Sequence, residues 1–214
     1  GVLRTACLAS DRLVSPQLGR WLSASPDAVR GTTAGRLAIG LHTAFTAPPR
    51  AVEPLEEAVR RCRRDGDDDA ELVAIAQLGR LAWWRQDLTA MAPLIGRVGE
   101  LESAGNATAR ALASVCRAIL ADLRADGEGV LAELAGLDAH LLDPAWEVLA
   151  SWLYGTVHVE LGRPEAAHEI VRRLLLIPTV RRILVADAVF GMFLVPLQTF
   201  LFFRDTDRYL RESV

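Results

Sequence analysis

The stretch SWLYGTVHVELGRPEAAHEI, Ser151–Ile170, decides the fold. It has the composition of a helix, yet it contains Gly155 and Gly162. A glycine inside a helix costs about 1 kcal/mol relative to alanine, so each one needs a packing or a turn reason. Gly162 stands just before Pro164, which can begin a second helix, and we predict that Gly162 ends the first. Gly155 lies inside the first helix, where we predict that it permits close approach to the second.

The same pattern recurs along the chain. Small residues in similar surroundings follow one another at spacings of 39, 39 and 37, namely Gly40, Gly79, Ala118 and Gly155. After each comes a short polar break and a second amphipathic run, and a weaker fifth unit follows in residues 189–210. A period near 38 residues with two helices per unit is typical of a solenoid and resembles the tetratricopeptide repeat. We predict an all-α, right-handed superhelix of about five helix pairs, with an irregular helical bundle as the alternative.

Composition supports helices and excludes several functions. Hydrophobic residues make up 51% of the 214, and alanine and leucine predominate, which favours helix over sheet. The chain has 24 basic and 27 acidic residues, a balance that argues against direct nucleic-acid binding. All the basic residues are arginine, so there is no phosphate-loop lysine and no Schiff-base lysine.

The residues that could bind metals or catalyse a reaction have structural interpretations. Three cysteines lie far apart in apolar runs, which predicts reduced, buried thiols in a cytoplasmic protein. The acidic cluster in residues 65–69 suggests a calcium loop, but Ala70 and Ala76 stand where that loop requires glycine and glutamate. We interpret the cluster as a helix N-terminus capped by acidic side chains. Without a recognisable catalytic motif, we predict no enzyme activity, no cofactor and no metal site.

Residues 183–203 form an apolar run long enough to cross a membrane. However, Asp187, Pro196 and Gln198 interrupt the run, and it falls in register with the repeat. A solenoid helix covered by its neighbours is hydrophobic all round, so we predict a solenoid helix and no membrane span. The chain begins with Gly1 and shows no signal peptide, and we expect a single helical-repeat domain, residues 1–214, cut from a longer protein.

The first repeat resembles the start of the helical-repeat region in LuxR-type transcriptional regulators of the signal-transduction ATPase group. The matching residues are Trp21, Leu22, Pro26, Asp27, Val29, Arg30, Leu37, Glu56, Glu57 and Ala58. The resemblance covers residues 18–175. It implies a cytoplasmic sensor region that lies between an ATPase module and a helix-turn-helix, both outside this chain. A maltose-responsive member of that family binds a small sugar inducer in its repeat superhelix.

The repeat register also predicts a binding site. In tetratricopeptide-like units the first helices line a groove, and here its predicted aromatic and polar positions are Arg80, Trp83, Asp122, Trp152 and Thr156. Aromatic walls with a few polar groups are typical of a small-molecule site. We therefore predict that this groove binds an effector such as a sugar. Two alternatives stay open: the tryptophans pack between units, or the groove is a scaffold for a peptide or partner domain.

Overall fold

The computed structural model describes residue 7 and residues 16–85, 87–137, 141–142, 144–163, 165–167 and 169. The chain divides into two compact units, residues 1–147 and 148–214. The second helix of the fourth predicted repeat begins at the edge of the described residues. The fifth repeat and the apolar run 183–203 lie outside them.

The described part of the chain is helical and contains no strand, which confirms the all-α class. Its α-helices are α1 (Pro16–Ala24), α2 (Asp27–Arg30), α3 (Thr33–Thr46), α4 (Val52–Asp65), α5 (Asp68–Trp84), α6 (Leu88–Ser103), α7 (Ala107–Asp122), α8 (Gly127–Leu134) and α9 (Pro144–Glu160). A 3-10 turn, Pro48–Arg50, joins α3 to α4. Among these residues, no helix is both long and apolar enough to span a bilayer.

The helices from α3 to α8 pack as successive pairs. Each helix contacts the next one in the chain, and the first helices of neighbouring pairs also touch, α3 against α5 and α5 against α7. Contacts between nearest neighbours of this kind are what a repeat array requires. The superhelical path and the number of five pairs remain predictions.

The turns between the helices repeat one chemical device. At Gly66, Gly105 and Gly162 the backbone has a positive φ, between 70° and 91°. At each of them the next N–H donates to a carbonyl five residues back, for example Arg163 to His158 at 2.7 Å. This is the Schellman helix end, and at Gly162 it confirms the predicted stop. Ala125 takes the same place at the end of α7 with a φ of 56°.

The helices α5, α6, α7 and α8 are each capped at the N-terminus by a side chain. Asp67 accepts a hydrogen bond from the N–H of Ala70 at 3.3 Å, so this member of the acidic cluster is an N-cap, as interpreted from sequence. Asn106 caps α7 in the same way, 39 residues later. Asp87 and Asp126, again 39 residues apart, cap α6 and α8. The period found in the small residues is therefore present in the turn chemistry too.

Three of the four small residues occupy the same position within their helices, whereas Gly40 is the eighth residue of α3. Gly79, Ala118 and Gly155 are each the twelfth residue of α5, α7 and α9, and all are buried. Their surroundings differ, however. A Cβ on Gly40 would lie 2.6 Å from Leu55 of the partner helix α4, whereas one on Gly79 would meet only the ring of Trp146 at 3.5 Å. Close approach within a pair is thus shown for Gly40, and for Gly155 it stays a prediction.

Candidate functional site

Arg80, a predicted ligand contact, is buried and bonded to the protein. Its side chain lies in α5, and the residue is only 3% exposed. Its Nε donates to Oε1 of Gln77 at 3.1 Å, and its Nη2 donates to the carbonyl of Ala44 at 3.0 Å. Ala44 lies in the last turn of α3, where carbonyls lack a partner within the helix. Arg80 therefore ties α5 to the C-terminal end of α3, and this role is structural.

The other predicted contacts differ in their burial. Trp83 is 9% exposed and buried, whereas Asp122 at the end of α7 is half-buried. Trp152 and Thr156, both half-buried, lie on α9 in the second unit. An arginine and a tryptophan this deeply buried do not line an open groove. The ligand-binding role of the five residues remains a prediction, and the structure directs attention to a different surface.

That surface is a cleft of about 520 Å³ between α4 and α6, the second helices of two neighbouring pairs. Its floor is α5, which contributes the buried side chains Ile75, Leu78 and Ala82. Its size lies within the range of about 300–1,000 Å³ that is typical of small-molecule pockets. We call it the α4–α6 cleft.

The walls of the α4–α6 cleft combine apolar and charged groups. On α6 the wall includes Pro93 and Gly96, two residues unusual inside a helix, and a Cβ added at Gly96 would meet nothing within 4 Å. The open space at Gly96 belongs to the cleft. The charged side chains along the cleft are Glu56, Arg60, Arg63, Arg85, Arg97 and Glu100.

A buried carboxylate stands behind one part of the cleft. Glu71 of α5 has a fully buried side chain that accepts from Nε of Arg63 at 3.0 Å and from Nη2 of Arg97 at 2.7 Å. Burial raises the pKa of the Glu71 carboxyl, but the hydrogen bonds from Arg97 and Arg63 outweigh it, and the net pKa lies below its ordinary value. Arg97 also binds Glu100 at 2.8 Å. This cluster links α4, α5 and α6 across the junction of two pairs.

Three charged groups of the cleft lie outside this cluster. Arg60 is paired with Glu57 at 2.7 Å on its own helix. Glu56 and Arg85, in contrast, are exposed and make no ion pair or side-chain hydrogen bond with the described part of the chain. The cleft therefore offers one uncompensated carboxylate and one uncompensated guanidinium beside an apolar floor.

The metal-binding and thiol side chains of the described residues form no metal site. They contain no group of three or more histidine, cysteine or acidic side chains placed to hold a metal ion. The three cysteines are buried thiols, and burial raises the pKa of Cys116 to about 12, so its thiol is protonated and unreactive at neutral pH.

Sequence reasoning placed the site on the first helices and missed this cleft on the second. A signal was present, since Pro93 and Gly96 both disfavour the middle of the amphipathic run that became α6.

Comparison of the chain with protein-family models, with curated proteins and with solved structures gave no match in any of the three.

Proposed function

We propose that this chain is an effector-binding, signal-sensing helical-repeat domain of a cytoplasmic transcriptional regulator, and that a small molecule binds in the α4–α6 cleft. The observation that carries the proposal is the cleft itself, a volume of about 520 Å³ with an apolar floor and guanidinium groups at its walls. The regulatory context rests on the resemblance of residues 18–175 to LuxR-type regulators. The proposed domain is not an enzyme and does not itself bind DNA.

The position of the cleft suggests how binding becomes a signal. Its two walls belong to different helix pairs, and its floor is the helix that both of them contact. A ligand that fits this space favours one geometry of the junction over others. In a repeat array each unit contacts its neighbours, so a change at one junction is passed along the stack. The free energy available for the signal is the difference in ligand affinity between the junction geometries.

The test is a thermal-shift screen of sugars, nucleotides and short organic acids, followed by calorimetry on a cleft-filling variant. A specific ligand at a hundredfold excess over its dissociation constant stabilises the folded chain by about 2.7 kcal/mol. In Gly96→Leu the new side chain occupies the cleft, and we expect ligand binding to disappear. The variant should keep or exceed the wild-type free energy of unfolding, because leucine is a better helix former than glycine.

The matched control is Gly99→Leu on the same helix. A Cβ at Gly99 also meets nothing within 4 Å, but Gly99 does not line the cleft. Binding that survives in Gly96→Leu, or is lost equally in Gly99→Leu, contradicts the assignment to this cleft. Loss in Asp122→Asn instead supports the groove predicted from sequence. If no small molecule binds while a peptide does, the scaffold function is favoured.

A further inference from the structure

We infer that the ligand of the α4–α6 cleft is a zwitterion with an apolar body, of the class of an apolar amino acid or a short apolar peptide. This inference rests on the proposed function, since it names the chemistry that the same cleft recognises. It follows from which charged side chains along the cleft are held in ion pairs and which are not. Of the six charged side chains there, four are held in ion pairs, and the remaining two carry opposite charges.

Glu56 and Arg85 do not neutralise each other. The structure contains no ion pair between them, although both line one cleft and both are exposed. A purely anionic ligand would be attracted by Arg85 and repelled by Glu56, and a cation would meet the reverse. A molecule that carries both an ammonium and a carboxylate satisfies both groups through charge-assisted hydrogen bonds.

The helix register gives the span between the two groups. The turn at Gly66 reverses the chain between α4 and α5, and the Arg63–Glu71 pair fixes their relative position. Glu56 is seven residues before Arg63, and Leu78 is seven residues after Glu71, so Glu56 lies near the level of Leu78. Arg85 is seven residues further on, or about 10 Å along the helix axis. A separation of this size can accommodate a ligand of one or two amino-acid units between the two side chains.

The surface between the two charges is apolar. At this level the floor is formed by Leu78 and Ala82, and Val52 and Ala90 lie along the walls. An apolar side chain of the ligand gains by leaving water there, at about 25 cal/mol per Å² of buried surface. Glycine, which has the same two charges and no side chain, should therefore bind more weakly than leucine.

The experiment uses matched probes in isothermal titration of the whole chain. L-leucine and L-leucyl-L-leucine carry both charges, N-acetyl-L-leucine lacks the ammonium, and L-leucinamide lacks the carboxylate. We expect each blocked derivative to bind about tenfold more weakly than leucine, the loss typical of one charge-assisted hydrogen bond. Comparison of leucine with its dipeptide distinguishes an amino acid from a peptide end.

Two variants connect each charge of the probe to its partner. Glu56→Gln should weaken the binding of leucine about tenfold but leave the binding of N-acetyl-L-leucine unchanged. Arg85→Gln should likewise weaken the binding of leucine about tenfold but leave the binding of L-leucinamide unchanged. The matched controls are Glu53→Gln, on the same helix but outside the cleft, and Arg124→Gln, which occupies the equivalent place one repeat later. All four positions are exposed, so folding should be retained, and circular dichroism checks this.

Three results would overturn the inference. One is the absence of binding by either zwitterion up to about 10 mM. Another is equal affinity for leucine and its blocked derivatives. The third is binding that neither variant alters. If a sugar or nucleotide binds instead and is lost in Gly96→Leu, the zwitterion inference fails while the proposed function stands. If Gly96→Leu abolishes the binding of no compound, both fail.

Discussion

Replacing Glu71 by glutamine tests the most deeply buried charge of the described structure. The Glu71→Gln substitution keeps the shape of the side chain but removes the charge that compensates Arg63 and Arg97. Hydrogen bonds to charged groups contribute about 1.5–3 kcal/mol each, and removing one member of a buried ion pair costs about 3–5 kcal/mol. Arg63 is 53% exposed and Arg97 19% exposed, so water can solvate part of the released charge. We expect the free energy of unfolding to fall by about 2–3 kcal/mol.

The assay is urea unfolding at pH 7, followed by circular dichroism, with Glu57→Gln as the control. Glu57 also accepts from two arginines and also has a lowered pKa, through its hydrogen bonds to Arg60 and Arg61. Its partners lie on the same helix and all three groups reach solvent, so the control should change stability very little. Equal losses of unfolding free energy in the two variants would refute the reasoning, because the burial of Glu71 would then make no difference to stability.

The pH dependence supplies an independent check with a fixed sign. The folded-state pKa of Glu71 lies below the unfolded value near 4.5. Its contribution is therefore present above that value and is lost as pH falls through the folded-state pKa. The difference in stability between wild type and Glu71→Gln should shrink steadily as the pH is lowered from 5 to about 3. A difference that stays constant over this range would show that ionisation of Glu71 does not stabilise the fold.

Four further substitutions test the backbone and the packing by the same unfolding assay. Gly35→Ala should destabilise the chain by about 1–3 kcal/mol, because its Cβ would press on backbone carbonyl oxygens of α2; an unchanged midpoint would contradict this contact. Ala125→Gly should stabilise the chain by up to about 1 kcal/mol and Gly105→Ala should destabilise it by a similar amount, because both residues have a positive φ. If both substitutions changed the stability in the same direction, strain at a positive φ would not be the cause. Gly155→Leu should cost about 1–3 kcal/mol through overpacking, and a change below about 0.5 kcal/mol would show that this buried position has room.

Local sequence signals predicted the helices and their ends well. Gly162 and the acidic residues near Asp67 act through backbone groups within a few positions, so their roles follow from short-range chemistry. The recurrence of small residues likewise predicted equivalent places on α5, α7 and α9. Such features need no knowledge of which helix lies next to which.

The candidate site depends on contacts between residues distant in sequence, and the sequence did not predict those contacts. From the sequence, Arg80 was predicted to be a polar group on a helix surface, but its guanidinium donates a hydrogen bond to a carbonyl 36 residues earlier. In the sequence, Glu71 is one of several acidic residues near the start of a helix, yet it accepts a hydrogen bond from an arginine 26 residues later. Periodicity gives the buried stripe of a helix, whereas the side of the array on which a cleft opens depends on how helices pack across units.

The ion clusters at successive junctions have opposite polarity, and this bears on folding fidelity. At the first junction an acidic residue of α5 stands between two arginines, whereas at the next Arg117 of α7 stands between Glu102 of α6 and Glu133 of α8. If α7 docked in the place of α5, Arg110, which is 39 residues after Glu71, would face the arginines that Glu71 now neutralises. Like charges brought together in this way penalise the wrong partner. For helix pairs of similar shape, charge therefore disfavours a packing that is shifted by one repeat.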